Sequence, residues 1–394
     1  MNQDKDEIGL FEDKNEEIKK EEEEEENAWE DEEDQNKTNI PSSKRYEEIW
    51  KRKEIEEELD ENDKTLLKTE VKREKKGKKI NELNFELLRN ATMLRKSNGI
   101  ITGTQFYDKS PILMTSGRDQ FLHLFVIKKD KCFPIGDKSL DQPIELAKFV
   151  DESILMTFNK PKISLYDMNS HKIKNIPKFD GYEEINLNYF TVGSQYISFI
   201  NDNNLSSILI DKNSFQVIDE LKGARQILGS VFHPTEDVYL TSGNYGTINI
   251  WDLKKMRCRS LIYDDGAINV TSIAISHNGE YLACGSDGGI VNLYDWKSFE
   301  KDSHPKPLHT FKNLVNDCNH LVFRNGLLLM SSSKGDKQIR IANVQQRIVY
   351  SNFPGFSKFG RIQEIDLSPN ARYLAFGNST GNVSLVKLTD MPGY

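Results

Sequence analysis

A cluster of basic residues is the part of this sequence best suited by composition to binding a charged partner. Six cations fall within a run of eight positions, at Lys72, Arg73, Lys75, Lys76, Lys78 and Lys79. A cluster of this density can neutralise the phosphates of a nucleic acid or be recognised by a nuclear import receptor. A solvated linker has the same composition, so both interpretations stay open.

Residues that carry catalysis or bind metals show no comparable clustering. The four cysteines lie far apart, without the paired spacing of a zinc site. His233 and His277 each adjoin turn residues, which favours a structural role for both. The sequence also lacks a phosphate-binding glycine loop and a nucleophile elbow. We therefore expect no enzymatic activity, no metal and no cofactor.

The chain shows no sign of a membrane or secretory destination. No apolar run approaches the length of a membrane span, and the N-terminus lacks the apolar core of a signal peptide. Widely spaced cysteines suit a reducing compartment. We expect an intracellular protein without a membrane partner.

Charge divides the chain into a tail, a linker and a large domain. Residues 1–36 hold four basic and 18 acidic residues, whereas residues 99–394 are almost balanced, with 32 and 31. A segment with so many acidic and so few apolar residues cannot bury enough surface to offset the entropy lost on folding. This predicts a disordered tail over 1–43. Helical spacing of apolar residues and the basic cluster predict a charged helical and basic linker over 44–82.

The elements that follow are strands in a repeated pattern. Residues 278–295 are echoed at 235–252 and 369–388, and each unit reads as a strand, a turn rich in glycine and polar residues, and a second strand. Alternating apolar and polar positions predict half-buried strands. The aromatic-Asp endings, as at Trp251, are typical of WD repeats, which form the blades of a β-propeller. We expect Trp251 and Tyr294 in the core.

Spacing gives the number of blades. Candidate innermost strands begin near Ile100, Ile144, Ile185, Arg225, Val270, Cys318 and Ile362. Their separations of roughly 40 to 48 residues match the period of WD repeats. The prediction is an all-β fold, a seven-bladed WD40 β-propeller over 83–394, preceded by the acidic tail and the helical and basic segment. The second and third units match the pattern less well.

The last unit lacks an outer strand, and an unpaired edge there would expose backbone N–H and C=O groups. A strand from the other end of the domain is the usual remedy in propellers. Residues 84–94 are the available segment, with Phe85, Leu87, Met93 and Leu94 to bury. We expect this segment to close the ring.

Several motifs go beyond a generic propeller and resemble the U3 small nucleolar RNA-associated protein 18 family. In the family's order, they lie at residues 304–308, 312–315, 350–354, 367–369 and 373–378. Residues 113–119 and 122–125 resemble its first blade. Ala28 and Trp29, followed by an acidic run, resemble a short motif that the family carries ahead of its propeller, and residues 44–49 resemble the segment after it.

The resemblance implies a structural subunit of the small-subunit processome, a nucleolar particle. Its expected partners are the other propeller subunits of its module, the U3 small nucleolar ribonucleoprotein and the precursor ribosomal RNA. Leu10, Phe11 and Asp13 are similar to the family's motif for docking the arch of the exosome-associated RNA helicase. Physically, Leu10 and Phe11 offer an apolar anchor, and Asp13 can meet a basic residue beside the pocket.

Two other classes of function are weaker alternatives. One is a WD40 substrate receptor of a ubiquitin ligase, or another generic propeller adaptor. Ligase receptors usually end a strand with Trp-Asp-any-Arg for docking their partner, but here Lys254 and Lys297 occupy the Arg positions. An enzyme acting in the central channel would need carboxylates or histidines on several innermost strands. Those strands offer mainly Thr, Ser, Asn and apolar residues by sequence.

Overall fold

A computed structural model describes residues 81–158, 162–177, 179, 185–201, 205–355 and 360–389. These residues form seven four-stranded antiparallel sheets. The strands of the first half are β1 Phe85–Leu87, β2 Ile101–Phe106, β3 Ile112–Gly117, β4 Phe121–Lys128, β5 Lys131–Ser139, β6 Ile144–Val150, β7 Ser153–Phe158, β8 Lys162–Asp167, β9 Ile173–Ile176, β10 Ile185–Val192, β11 Tyr196–Asn201, β12 Ser206–Asp211, β13 Val217–Lys222 and β14 Ile227–Phe232. Those of the second half are β15 Val238–Gly243, β16 Thr247–Asp252, β17 Arg257–Tyr263, β18 Val270–Ile275, β19 Tyr281–Ser286, β20 Val291–Asp295, β21 His309–Phe311, β22 His320–Arg324, β23 Leu327–Ser331, β24 Ile339–Asn343, β25 Ile348–Val349, β26 Ile362–Leu367, β27 Tyr373–Asn378 and β28 Val383–Leu388.

The sheets are the seven blades of a β-propeller, as the sequence predicted. Blades one to six take four consecutive strands each, from β2–β5 to β22–β25, and blade seven has the order β1-β28-β27-β26. The innermost strands begin within two residues of the predicted positions, the largest differences being at Ile227 and His320. Blades two and three, the weakest in sequence, each have four strands as well.

Helical structure is sparse in the described part of the chain. A 3₁₀ turn spans Ala91–Leu94, and a short α-helix, α1, spans Trp296–Phe299 between the third and fourth strands of blade five. Asp295 caps α1 by accepting the backbone N–H of Ser298 at 3.0 Å.

Each blade buries both faces of its sheet against its neighbours. Seven apolar clusters occur among the described residues, and each is shared by two adjacent blades. All six residues of β15 are therefore buried, including Thr241 and Ser242. The expectation of half-buried strands was wrong here. The alternating apolar and polar residues lie on two faces that both pack against neighbouring blades, and neither face is exposed to solvent. Trp251 and Tyr294 lie in the core as expected.

Blade seven takes its outer strand from the segment that precedes blade one. Phe85 pairs with Leu388 and Leu87 with Val386, antiparallel. The side chain of Asn352 accepts the backbone N–H of Leu83 at 2.9 Å and donates to its carbonyl at 2.7 Å.

Of the four side chains expected to be buried in this segment, only Phe85 packs against the core, partly buried beside the apolar cluster of blades six and seven. Leu87, Met93 and Leu94 are exposed, whereas Leu83 and Ala91 enter the core. The expectation assumed a strand as far as residue 94. The backbone instead turns into the 3₁₀ segment at Ala91, which changes the side of the chain that faces the blades.

Topology gives the propeller two different faces. In each antiparallel blade, the turn between the second and third strands and the connection to the next blade lie at one end, which we call the loop face. The turns between first and second and between third and fourth strands lie at the opposite face. The seven innermost strands surround a central channel.

Candidate functional site

The side chains that the sequence singled out for partner binding lie outside the described residues. They are the predicted helicase-docking residues Leu10, Phe11 and Asp13, the tail residues Ala28 and Trp29, and the basic cluster of Lys72, Arg73, Lys75, Lys76, Lys78 and Lys79. Their roles therefore stay predictions. The described part of the chain offers the channel, the two faces and the buried polar groups between blades.

The central channel holds a cavity of about 480 Å³ lined by residues from all seven innermost strands. The side chains of His320, Glu364 and Lys148, from three different blades, lie in its wall. His320 Nδ1 lies 3.7 Å from a carboxylate oxygen of Glu364. Lys148 Nζ donates to the carbonyl of Phe190 at 2.8 Å and lies 5.6 Å from the centre of the Tyr189 ring.

The electrostatics of this group are set by its enclosure. Burial raises the pKa of the Glu364 carboxyl, and the nearby His320 and Lys148 partly oppose that rise. An ammonium, an imidazole and a carboxylate can hold a polar ligand or ordered water, but they do not form a nucleophile with its base. The sequence did not single out these residues, although the available signal was two ionisable residues in each of the innermost strands β6, β22 and β26.

The face opposite the loop face carries a second cavity, of about 720 Å³, between the turns of blades five, six, seven and one. Arg324 lies in its wall and donates to Asp108 Oδ1 at 3.0 Å. Beneath it, Asp366 accepts the backbone N–H of Phe106 at 2.7 Å and that of Leu367 at 2.9 Å. Burial raises the pKa of Asp366 to about 6, although Arg324 opposes the shift. These contacts tie blades six and seven to blade one.

A third polar group is sealed between blades four and five. The carboxylate of Asp264 accepts hydrogen bonds from the Tyr294 hydroxyl and from Asn292 Nδ2. Burial raises the pKa of Asp264 to about 6, and the two donors partly oppose that rise. Asp264 is only 6% exposed, so this network serves the fold and not a ligand.

The turn histidine of blade four is structural, as predicted. His233 Nδ1 accepts the backbone N–H of Glu236 at 3.0 Å, and Nε2 lies 3.3 Å from the carbonyl of Gly279 in the next blade. Its ring packs against Trp296. Desolvation lowers the pKa of His233, which favours the neutral ring that these contacts need.

Within the described ranges, no group of three or more His, Cys, Asp or Glu side chains could hold a metal ion. No helix of the same ranges is both long and apolar enough to cross a membrane.

Comparisons with known proteins identify relatives of this chain. The family model described as WD domain, G-beta repeat matches residues 259–295, from the outer strand of blade four to the third strand of blade five. Proteins named U3 small nucleolar RNA-associated protein 18 homolog match 78% of this chain, with 29% identity in Mus musculus and 28% in both Homo sapiens and Arabidopsis thaliana.

Each match spans 57% of the relative's own length. The similarity recurs in animals and plants. It confirms the resemblance predicted from the sequence, to the U3 small nucleolar RNA-associated protein 18 family.

Proposed function

We propose that this protein is a non-catalytic structural subunit of the small-subunit processome, acting in ribosome biogenesis. The observation that carries the proposal is the similarity over 78% of the chain to proteins named for association with U3 small nucleolar RNA. A rigid ring with two large faces suits a part that holds other subunits together. The proposed location is the nucleolus, within the nucleus.

The proposed partners are the other propeller subunits of the particle, the U3 ribonucleoprotein and the precursor ribosomal RNA. Residues 83–394 would supply the structural domain. Residues 1–43 would serve as a recruiting tail, in which Leu10, Phe11 and Asp13 dock the exosome-associated helicase, with Ala28 and Trp29 as a second motif. The linker at 44–82 would bring the basic cluster to RNA or to an import receptor.

Affinity purification of the tagged full-length protein, with sequencing of the bound RNA, tests the proposal. We expect recovery of U3 RNA together with precursor ribosomal RNA, and loss of both after nuclease treatment before purification. An untagged strain controls for background. Recovered RNA without enrichment of U3 would contradict the proposal.

A ubiquitin-ligase substrate receptor is the principal alternative. The position where such receptors carry a docking Arg holds Lys254, whose ammonium pairs with Asp237 of the same blade at 3.0 Å. A lysine is a poor substitute for the planar, forked guanidinium. Co-purification of ligase subunits in place of U3 RNA would support this alternative.

A further inference from the structure

The loop face carries an apolar patch over blades four to six. Val315, Ile268 and Tyr245 are 78%, 71% and 66% exposed, more than any other large apolar side chain among the described residues. We define the loop-face patch as these three residues together with Arg225, whose guanidinium lies 4.7 Å from the centre of the Tyr245 ring.

The members of the patch are joined by contacts that pass from blade to blade. The turn of Tyr245 touches the connection after blade four, where Gly246 N–H donates to the carbonyl of Ile268 at 2.8 Å. The connection after blade five, which holds Val315, passes closely over the turn at Gly289. A Cβ at Gly289 would lie 2.7 Å from the Asn316 carbonyl. Backbone contacts therefore fix the turn and the two connections that carry the patch.

Tyr245 has an unusual backbone conformation for its residue type. Tyr245 and Gly246 are the central residues of a tight turn, with φ of 61° and 66°. A turn with positive φ at both positions favours Asn-Gly, because a bulky side chain is strained in the left-handed region. Gly246 satisfies this requirement, and a Cβ there would lie 2.7 Å from the Ala267 carbonyl. Tyr245 does not satisfy it.

Other apolar residues at positive φ have a packing reason for that conformation. Phe215 and Met256 pack against the apolar clusters of their blades, and Ala371 is fully buried. Tyr245 gains no such burial within the described residues, and its ring contact is with Arg225. Strain that packing among the described residues does not explain points to a functional contact.

The charges of the patch indicate which kind of partner fits. Arg225 forms no ion pair within the described part of the chain, so its N–H groups can meet a carboxylate. Tyr and Arg beside aliphatic residues is the composition of energetically important sites in protein interfaces.

We propose that the loop-face patch docks a segment of a partner protein that presents at least two apolar side chains and a carboxylate. The apolar side chains lie against Tyr245, Ile268 and Val315, and the carboxylate bonds to Arg225. This inference rests on the proposed structural function, to which it adds a surface and a partner chemistry. Its test uses no cellular RNA, so the two proposals can fail separately.

A phage-displayed library of random 16-residue peptides, selected on the full-length protein, is the first step. We expect enriched peptides to share two or more apolar residues and an Asp or Glu. One such peptide, synthesised with a fluorescent label, then gives affinities by polarisation. Ile268→Asp and Arg225→Glu should each weaken its binding at least about tenfold. Ile218→Asp, the same change at an exposed position of the outer strand of blade three, should leave it unchanged.

Tyr245→Asn separates a binding role from a structural one. Asn tolerates the left-handed region, so the melting temperature should rise by about 2 °C. Peptide binding should nevertheless weaken about tenfold. A lower melting temperature with unchanged binding would show that Tyr245 serves the turn alone and would overturn its role.

Two results would overturn the proposal as a whole. One is a selection without enrichment, or peptides that bind the Ile268→Asp protein as tightly as the unsubstituted one. The other is tighter binding of a labelled 20-nucleotide uridine RNA that is lost in the Tyr245→Asn protein, which would assign the patch to nucleic acid.

Discussion

The hydroxyl of Thr92 accepts the backbone N–H of Val383 at 3.0 Å, joining residues separated by 291 positions. Thr92 is almost fully buried, so no water can replace this acceptor. Close by, Asn90 contacts the hydroxyl of Ser384 at 3.3 Å. The segment before blade one is thus fixed to the last strand by side chains as well as by strand pairing.

Replacing Thr92 tests this link directly. Thr92→Val keeps the shape but leaves the buried Val383 N–H without an acceptor, which should lower the free energy of unfolding by about 1–3 kcal/mol. Thr92→Ser keeps the hydroxyl and is the matched control, with a smaller loss. Urea unfolding measures both. Equal losses would show that the hydrogen bond contributes little.

Truncation tests the closing segment as a whole. Deleting residues 1–36 should leave the melting temperature unchanged, because the closing strand lies at Phe85–Leu87. Deletion through Leu94 should lower it, since the edge of β28 loses its partner and the core loses Leu83 and Ala91. Calorimetry of both proteins decides. Equal melting temperatures would mean that closure adds nothing to stability.

The buried carboxyl of Asp264 should make stability depend on pH. Burial raises its pKa to about 6 from an ordinary 3.8, so the folded protein holds this proton more tightly than the unfolded chain does. The stability that the protonated carboxyl contributes to the folded protein is therefore fully present below pH 3.8 and is lost as the pH rises through about 6. Asp366 shifts in the same direction, whereas His233, with a lowered pKa, loses stability on the acid side.

Comparison with Asp264→Asn isolates that one group, because the variant keeps the other two. Relative to the unsubstituted protein, the variant should gain about 2 kcal/mol between pH 4.5 and pH 7.5. Urea unfolding at several pH values measures the difference. A difference that stays constant over this range would contradict the assignment.

Depleting the protein should affect one ribosomal subunit only. If it is a subunit of the processome, mature small-subunit RNA should fall and uncleaved precursor should rise, with large-subunit RNA spared. Northern blots with probes for both subunits and the precursor give the ratios. Expression of the unsubstituted chain should restore them. Normal ratios after depletion would argue against the proposed function.

The proposed helicase contact depends on Phe11. Phe11→Ala should remove about 1.5–3 kcal/mol of apolar burial, a loss of about ten- to hundred-fold in affinity. Asp13→Ala should weaken binding less, and less still at high salt, because a partly exposed ion pair is screened. Calorimetry of a tail peptide against the purified helicase measures this, with Glu12→Ala as the control. If the unsubstituted peptide does not bind, Leu10, Phe11 and Asp13 have no role in docking the helicase.

The blades could be predicted from sequence because each carries its own local signal. The turn glycines Gly246, Gly289 and Gly381 all have positive φ, and the aromatic residue before the terminal Asp is buried at Trp251 and Tyr294. The exposure of Met93 and Leu94 could not be predicted, since it depends on where the strand pairing of β1 stops. That point is set by β28, at the far end of the chain.

The channel residues show a different limit of sequence reasoning. Lys148, His320 and Glu364 belong to blades two, six and seven, and only closure of the ring brings them together. Their spacing in sequence therefore carries no motif. The loop-face patch likewise has no sequence motif. The exposure of Ile268 and Val315 depends on how the connections after blades four and five pass over the turns at Gly246 and Gly289. The sequence predicted a turn with positive φ at residues 244–246. The strain at Tyr245 could be recognised only from its φ of 61° in the structure.

Closure by the first strand also sets the order in which the molecule can be completed during synthesis. Thr92 leaves the ribosome 291 residues before its partner Val383. At about 5–20 residues per second, that interval is roughly 15–60 s. Six blades can form their own hairpins while the strand Phe85–Leu87 has no edge to join. For that time the apolar side chains of Leu83 and Ala91 are available to chaperones or to a neighbouring chain, until the last strand arrives and the ring closes.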